Sequence, residues 1–347
     1  MPNEKDQYIN KITFLRLDFN IPKLNNQILN LNKIILCIPT IKFLLKQKIK
    51  IVLISHLGNP LMKDYCEKYS LYNICKIISV MLKENILFLK KLSIQKIVSN
   101  SSQIIIIDNI RFYYYEKFCG VKSSKLFSFK IDLYLNNAFG TIHREHTSLY
   151  GIKKFIKNSR IGFLMEKEIN SIKYIIMRKK LDLIVSGGSK TISKILIIKK
   201  LLKYNELKYL IFGSRSSRFV GNKYFFKNFL FSYNSLFGRD FILKKKCKKL
   251  EVMDLGHFTI KKYINYLNKS NIILWNGPLG FFEKEEFGLS TIVIFKNMIL
   301  KKNNFFILGG GESSLPVEYL NFKNDIAFLS TGGGSLLSFF SKKNIYY

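Results

Sequence analysis

Two lysines four residues apart, Lys190 and Lys194, follow a pair of glycines in SGGSKTISK (186–194). Residues at i and i+4 share one helix face, so both ammonium groups can reach the same anion. The corner before them suits that chemistry, because an apolar run, LDLIVS, enters a glycine turn and a helix-forming stretch leaves it. Glycine lets the backbone come close to a bound group, and the N–H groups and dipole at a helix start favour negative charge. Three more corners share the layout: LKYLIFGSRS from Leu207, FFILGGGESS from Phe305 and FLSTGGGSLL from Phe328. Phosphate is the anion they suggest. Taken singly, such a corner more often only turns the chain, and none of the four has the spacing GxxxxGK[ST] or GxGxxG.

The elements that must position these corners read as α/β throughout. Strand-like and helix-like runs alternate: ITFLRL, LNKIILCIPTIKFLLKQK, IKIVLIS, a helix-forming span after Ser70, then QIIIID. This is the βαβ rhythm of parallel, doubly wound sheets. With 347 residues, 48% of them apolar, the chain has room for about two domains. After a loop from Asn136 to Tyr150, GFLMEKEINSIKYIIM reads as a long amphipathic helix and marks the domain boundary. Between Phe219 and Lys249 aromatics and lysines mix without a clear period.

The net charge of +34 invites a nucleic-acid or membrane-surface reading. Lysines run the whole length in company with an excess of Ile, Asn, Phe and Tyr, which is a compositional drift, not a stripe. Even KKKCKK (244–249) reads as a solvated face or loop, and non-specific affinity for polyanions at low salt is the expectation. The opening MPNEKDQYIN lacks the basic-then-apolar layout of a signal peptide, and no stretch of about 18 residues is free of strongly polar side chains, so a soluble cytoplasmic protein without membrane contact is predicted. Five cysteines without a CxxC pair point to reduced thiols, not to a disulfide framework or a zinc site.

Ten blocks in order then carry a resemblance. RLDFNIP (16–22), IPTIKFLL (38–45), SHLGNP (55–60), IDNIRF (107–112), NNAFGTIHREH (136–146) and GFLMEKE (162–168) are followed by SGGSKTISK (186–194), LWNGPLGFFE (274–283), GGGESS (309–314) and STGGGS (330–335). Over nearly its full length the chain resembles the phosphoglycerate kinases, thinning and shortened only between about Arg215 and Val252. The resemblance implies two doubly wound, Rossmann-like parallel-sheet domains facing across a cleft and joined by a long helix. Residues 1–160 would bind 3-phosphoglycerate, 161–325 the nucleotide, and 326–347 would return as a tail to the first domain. The implied reaction is reversible phosphoryl transfer from 1,3-bisphosphoglycerate to Mg-ADP, giving 3-phosphoglycerate and ATP. Mg²⁺ would be the cofactor and the protein a monomer with no specific nucleic-acid partner.

A triose bearing phosphate and carboxylate needs fixed cations and hydrogen bonds to its hydroxyl. By resemblance Arg111 and Arg144 are the anion-binding arginines, His56 and His143 belong to a basic patch, and Asp18 with Asn20 contacts the glycerate. Phosphoryl transfer leaves little covalent work for a protein, so positioning and charge neutralisation dominate. The resemblance puts Lys194 on the nucleotide phosphates and Lys190 near the transferred group. It adds Gly213, Asn276, Gly309, Gly310, Gly311 and Ser313 to the nucleotide site, with Glu283 on the ribose hydroxyls and Glu312 on the nucleotide's Mg²⁺.

Several positions depart from the family pattern. Lys33 stands where the family has an arginine thought central to transfer, and Asn59 replaces the arginine of SHLGRP. Ser214 and Arg215 interrupt a glycine triplet that usually lines the nucleotide pocket, Glu312 replaces the usual Asp, and Phe328 stands where many members have His. Lys33 is expected to act in transfer and Lys33 and Asn59 to face the substrate. The competing expectation is an impaired, kinase-like protein acting as a basic nucleic-acid-associated binder.

Overall fold

The computed structural model describes residues 11–21, 23–24, 27–28, 31–60, 65–178, 181–188, 191–202, 207–217, 235–246, 249–282, 284–301, 305–310, 317 and 328–340. Contacts divide the chain into two compact units, Met1–Ile169 and Asn170–Tyr347. The division falls inside the helix Phe163–Arg178, the segment read above as the domain boundary.

The first unit holds β1 (Ile12–Arg16), a short hairpin of β2 (Lys23–Leu24) and β3 (Gln27–Ile28), β4 (Lys50–Ile54), β5 (Ile86–Leu89), β6 (Ile104–Ile107), β7 (Leu133–Asn136) and β8 (Asn158–Ile161). Apart from the hairpin these form one six-stranded sheet in the order β5-β6-β4-β1-β7-β8, every pairing parallel. Strand β6 shows why: its four consecutive isoleucines are all buried, and a run with no polar face fits a strand covered on both sides. Successive residues do face opposite cores. Leu15, Leu53 and Ile106 join one apolar cluster with Ile41 and Ile74, while Phe14, Val52 and Ile107 join another with Ile97 and Phe127. The covering residues come from crossover helices such as Ile38–Lys46, Tyr72–Leu82 and Val121–Ser128.

The second unit contains β9 (Leu183–Ser186), β10 (Tyr209–Phe212), β11 (Ser235–Leu236), β12 (Phe241–Lys246), β13 (Lys249–Leu255), β14 (Ile272–Asn276), β15 (Phe305–Gly309) and β16 (Phe328–Ser330). Its sheet runs β11-β10-β9-β14-β15-β16, again wholly parallel. The chain leaves β9 toward one edge and returns on the other side at β14, so the strand order reverses between them. Ligands of open α/β sheets sit at such a reversal, outside the carboxyl ends of the strands.

The span from Phe219 to Lys249, illegible as sequence, ends in an antiparallel ribbon of β12 and β13 with a bulge between Ile242 and Leu243. Lys244 of KKKCKK lies exposed on that ribbon. The segment from 326, read as a returning tail, contributes β16 and the helix Gly333–Phe340 to the second unit; residues 341–347 lie outside the described ones. Among the described residues no helix is long and apolar enough to cross a membrane.

Candidate active site

In the first unit the candidate residues follow the carboxyl ends of adjacent parallel strands. Asp18 and Asn20 come after β1, His56 after β4, Arg111 after β6, and His143 and Arg144 after β7. Side chains stitch these loops together. Ser55 Oγ donates to the Leu17 carbonyl at 2.8 Å and accepts from the Phe19 amide at 2.8 Å. Asn109 Nδ2 donates to the carbonyls of Leu57 (2.7 Å) and Tyr69 (3.0 Å), while its Oδ1 accepts from the Arg111 amide at 3.0 Å.

Asp18 anchors the centre of this cluster. Its Oδ2 accepts from the Lys33 ammonium at 2.9 Å and its Oδ1 from the Asn20 amide at 3.1 Å. Burial alone would raise the Asp18 pKa, but the Lys33 ammonium beside it wins and holds the carboxyl well below the usual range. Lys33 also donates to the Asn20 carbonyl at 3.2 Å. Asn20 Oδ1 accepts from the Gly58 amide at 2.8 Å, and the Gly58 carbonyl accepts from Arg111 Nη1 at 2.5 Å. Arg111 is buried, and among the described residues its Nε has no hydrogen-bond partner. An unmet buried donor costs about 1–3 kcal/mol, which a bound anion or a water would recover.

His56 is buried, and that burial pushes its pKa well below the ordinary histidine value. Its imidazole is therefore neutral, and its 3.9 Å approach to Asp18 Oδ1 is no ion pair. Arg16 Nη2 lies 3.3 Å from His56 Nδ1. A guanidinium can only donate, so Nδ1 accepts and the ring proton resides on Nε2. Burial lowers the Arg144 pKa as well, with the Asp18 charge working the other way. Arg144 is half-buried, whereas Asn59 and His143 are exposed.

Arg16, Ser148 and Glu116 are the residues that sequence reasoning passed over. Arg16 is buried, with Nε on Ser148 Oγ at 3.0 Å and Nη1 on the Leu17 carbonyl. Ser148 in turn donates from its hydroxyl to Glu116 Oε1 at 2.7 Å and from its amide to Oε2 at 3.0 Å. Burial works against the Arg16 charge, and the Glu116 carboxylate is the largest influence sustaining it. The available signal was a charged residue closing an apolar strand in FLRLDF.

In the second unit the corners meet at the strand-order reversal. Lys194 Nζ donates to the carbonyls of Gly187 (2.6 Å) and Asn276 (3.0 Å), at the ends of β9 and β14. Gly277, with φ of 91°, must be glycine here: a Cβ would stand 2.7 Å from the Gly187 carbonyl oxygen. Asn276 Nδ2 donates to the Gly333 carbonyl at 2.7 Å, tying WNGP to the STGGGS corner. Several corner amides expected to await an anion are spent on the protein itself. Gly187 donates to Asn276 O (3.0 Å), Gly188 to Pro278 O (2.7 Å), Gly213 to Ser186 O (3.0 Å) and Gly310 to Ser330 O (3.2 Å). The parallel ladder extends one residue past the strands at Gly187, Gly213 and Gly310, and two at Gly188, and claims them. Gly309 closes β15 beside Asn276. Lys190, Glu283, Gly311, Glu312 and Ser313 lie outside the described residues.

Comparison with known proteins decides the family. The family model described as phosphoglycerate kinase matches residues 4–223 and 238–343. The chain belongs to the phosphoglycerate kinase family. A phosphoglycerate kinase of Buchnera aphidicola subsp. Schizaphis graminum is 33% identical, the match covering 96% of this chain and 94% of the relative. One from Staphylococcus epidermidis is 29% identical with the same two coverages. The crystal structure of the phosphoglycerate kinase from Pyrococcus horikoshii OT3 superposes with a TM-score of 0.79 at 26% identity, covering 98% of this chain and 96% of that one. The Coxiella burnetii phosphoglycerate kinase structure, at 23% identity and a TM-score of 0.71 over 99% and 96% of the two chains, shares the fold. A phosphotransferase family thus accounts for both parallel sheets and all ten sequence blocks.

Proposed function

We infer that the chain transfers a phosphoryl group reversibly between 1,3-bisphosphoglycerate and ADP, as a kinase of glycolysis. The observation that carries this reading is the family match over nearly the whole chain. What supports the assignment of roles is chemistry. The first unit gathers Lys33 and Arg144 around the Asp18 carboxylate beside a neutral imidazole, His56, with Arg111 on the neighbouring Gly58 carbonyl and Arg16 balanced chiefly by Glu116. That excess of positive charge suits the phosphate and carboxylate of 3-phosphoglycerate, with Asp18, Asn20 and the His56 Nε2 proton left to orient its hydroxyl and oxygens. His143 and Asn59 would lie at its exposed rim.

In the second unit Lys194 is the buried cation at the strand-order reversal, the position at which a nucleotide's phosphates would sit. Lys190 and Lys33 would bear on the transferred group, Asn276, Gly213 and the 309–313 corner on the nucleotide, and Glu283 on its ribose. Among the described residues no three His, Cys, Asp or Glu side chains gather into a metal cage. Mg²⁺ would be carried chiefly by the nucleotide's own phosphates, with Glu312 as a protein carboxylate on it. When bound, the ion would offset phosphate charge. A cytoplasmic monomer without a specific nucleic-acid partner completes the reading.

The test is ATP formation by the purified chain from 1,3-bisphosphoglycerate and Mg-ADP, followed in a coupled assay. Turnover is expected; a folded preparation that forms no ATP would overturn the activity.

A further inference from the structure

After Gly213 the chain places Ser214 and Arg215 at the carboxyl end of β10. Ser214 is fully buried, its amide on the Leu279 carbonyl at 2.8 Å and its hydroxyl on the Met253 carbonyl at 3.3 Å. This double tether fixes the direction in which Arg215 leaves the corner. Its guanidinium carbon lies 4.7 Å from the centroid of the Phe281 ring, and the Phe281 amide is itself held by Met253 O at 2.9 Å. Both residues are half-buried, and among the described residues no carboxylate pairs with Arg215. The pair adjoins the Lys194 corner: a Cβ on Gly213 would stand 3.2 Å from the Gly187 Cα, and the Gly187 carbonyl holds the Lys194 ammonium.

A guanidinium over an aromatic ring is attracted through its face, which leaves its edge to act. That edge carries N–H donors and no acceptor. Guanine offers such a fork two neighbouring acceptors, O6 and N7, whereas adenine sets an amino donor beside N7.

We propose that Arg215, braced on Phe281, sets the base preference of the nucleotide site by donating to the O6 and N7 acceptors of a 6-oxopurine, favouring guanosine over adenosine nucleotides. This rests on the reading that the nucleotide phosphates lie at the Lys194 corner. Arg215 acts on the ratio of the two nucleotides, and a paired contact of this kind discriminates by about tenfold.

The experiment measures kcat/KM for GDP, IDP and ADP in wild type and in Arg215→Gly and Arg215→Lys variants, with thermal midpoints to verify folding. Dissociation constants for the same nucleotides come from calorimetry. The GDP:ADP ratio should fall about tenfold in Arg215→Gly and less in Arg215→Lys, whose ammonium can still donate to O6 and N7, and IDP, which keeps O6 and N7, should follow GDP. An unchanged ratio in Arg215→Gly, a larger loss in Arg215→Lys than in Arg215→Gly, or IDP behaving like ADP would each overturn the assignment. The binding data separate this outcome from failure of the kinase reading: a chain that forms no ATP but binds GDP more tightly through Arg215 keeps the base assignment and loses the reaction.

Discussion

Lys33 holds Asp18 at 2.9 Å and the Asn20 carbonyl at 3.2 Å, so its one ammonium divides its donors between two protein groups. A single ammonium so engaged is poorly placed to grip two oxygens of a phosphoryl group at once.

Lys33→Arg should therefore raise turnover. On the proposal that position 33 bears on the transferred group, the planar fork would keep one N–H on Asp18 and direct others at that group. A rise of about tenfold in kcat corresponds to ~1.4 kcal/mol of barrier, with KM for 3-phosphoglycerate little altered. Unchanged kcat in a normally folded variant would leave Lys33 only the task of holding Asp18.

Glu116 supplies the counter-charge that Arg16 receives through Ser148. Removing one member of a buried pair leaves the other uncompensated, which costs about 3–5 kcal/mol. Urea unfolding of Glu116→Ala and of Glu116→Gln should show losses of similar size, since both variants remove the charge and Glu116→Gln keeps the shape and an acceptor for Ser148. A much smaller loss in Glu116→Gln would mean that shape, not charge, matters at 116.

Acid should weaken the first unit in two stages. His56 is held below its unfolded pKa of about 6.5 by burial, so below that pH the unfolded chain binds a proton that the folded one refuses. Asp18, despite burial, is held low by Lys33; its contribution is present above the unfolded value of about 3.9 and is lost as pH falls from there toward the depressed folded value. Stability from denaturant melts should drop between pH 7.5 and 5, and His56→Asn should flatten that interval while leaving the steeper loss below about pH 4. An interval of the same slope in the variant would remove His56 as its source.

Lys194→Ala should reduce turnover by roughly a hundredfold, the scale of losing one preorganised donor to developing charge. Because Lys194 belongs to the second unit, 3-phosphoglycerate at 100 times its dissociation constant should still add roughly 2.7 kcal/mol of stability. A variant that folds but no longer responds to 3-phosphoglycerate would sink the division of ligands between the units.

Much of the architecture was legible because buried parallel strands announce themselves as unbroken apolar runs, QIIIID being the plainest, and because glycine marks where they turn. Strand order was not legible from local pattern. Placing β1 between β4 and β7 depends on pairings between distant segments, and no local pattern encodes them. The same distance hid Arg16: its partner Ser148 lies 132 positions along the chain. Nor can local pattern separate the corner amides by task, since a turn that invites an anion and a turn that continues a ladder use the same glycines.

The first sheet, finally, stops at both sides on strands of four residues, β5 and β8. On β8, Asn158 and Arg160 are exposed. Long flat edges recruit strands from neighbouring molecules, and short or charged ones frustrate that growth. In a chain so rich in isoleucine and phenylalanine, the interior strands alone would seed cross-β fibres. The polar margin of β8 acts as a gatekeeper, so the hazard in the first sheet is greatest in the interval before β5 and β8 close over its middle during folding.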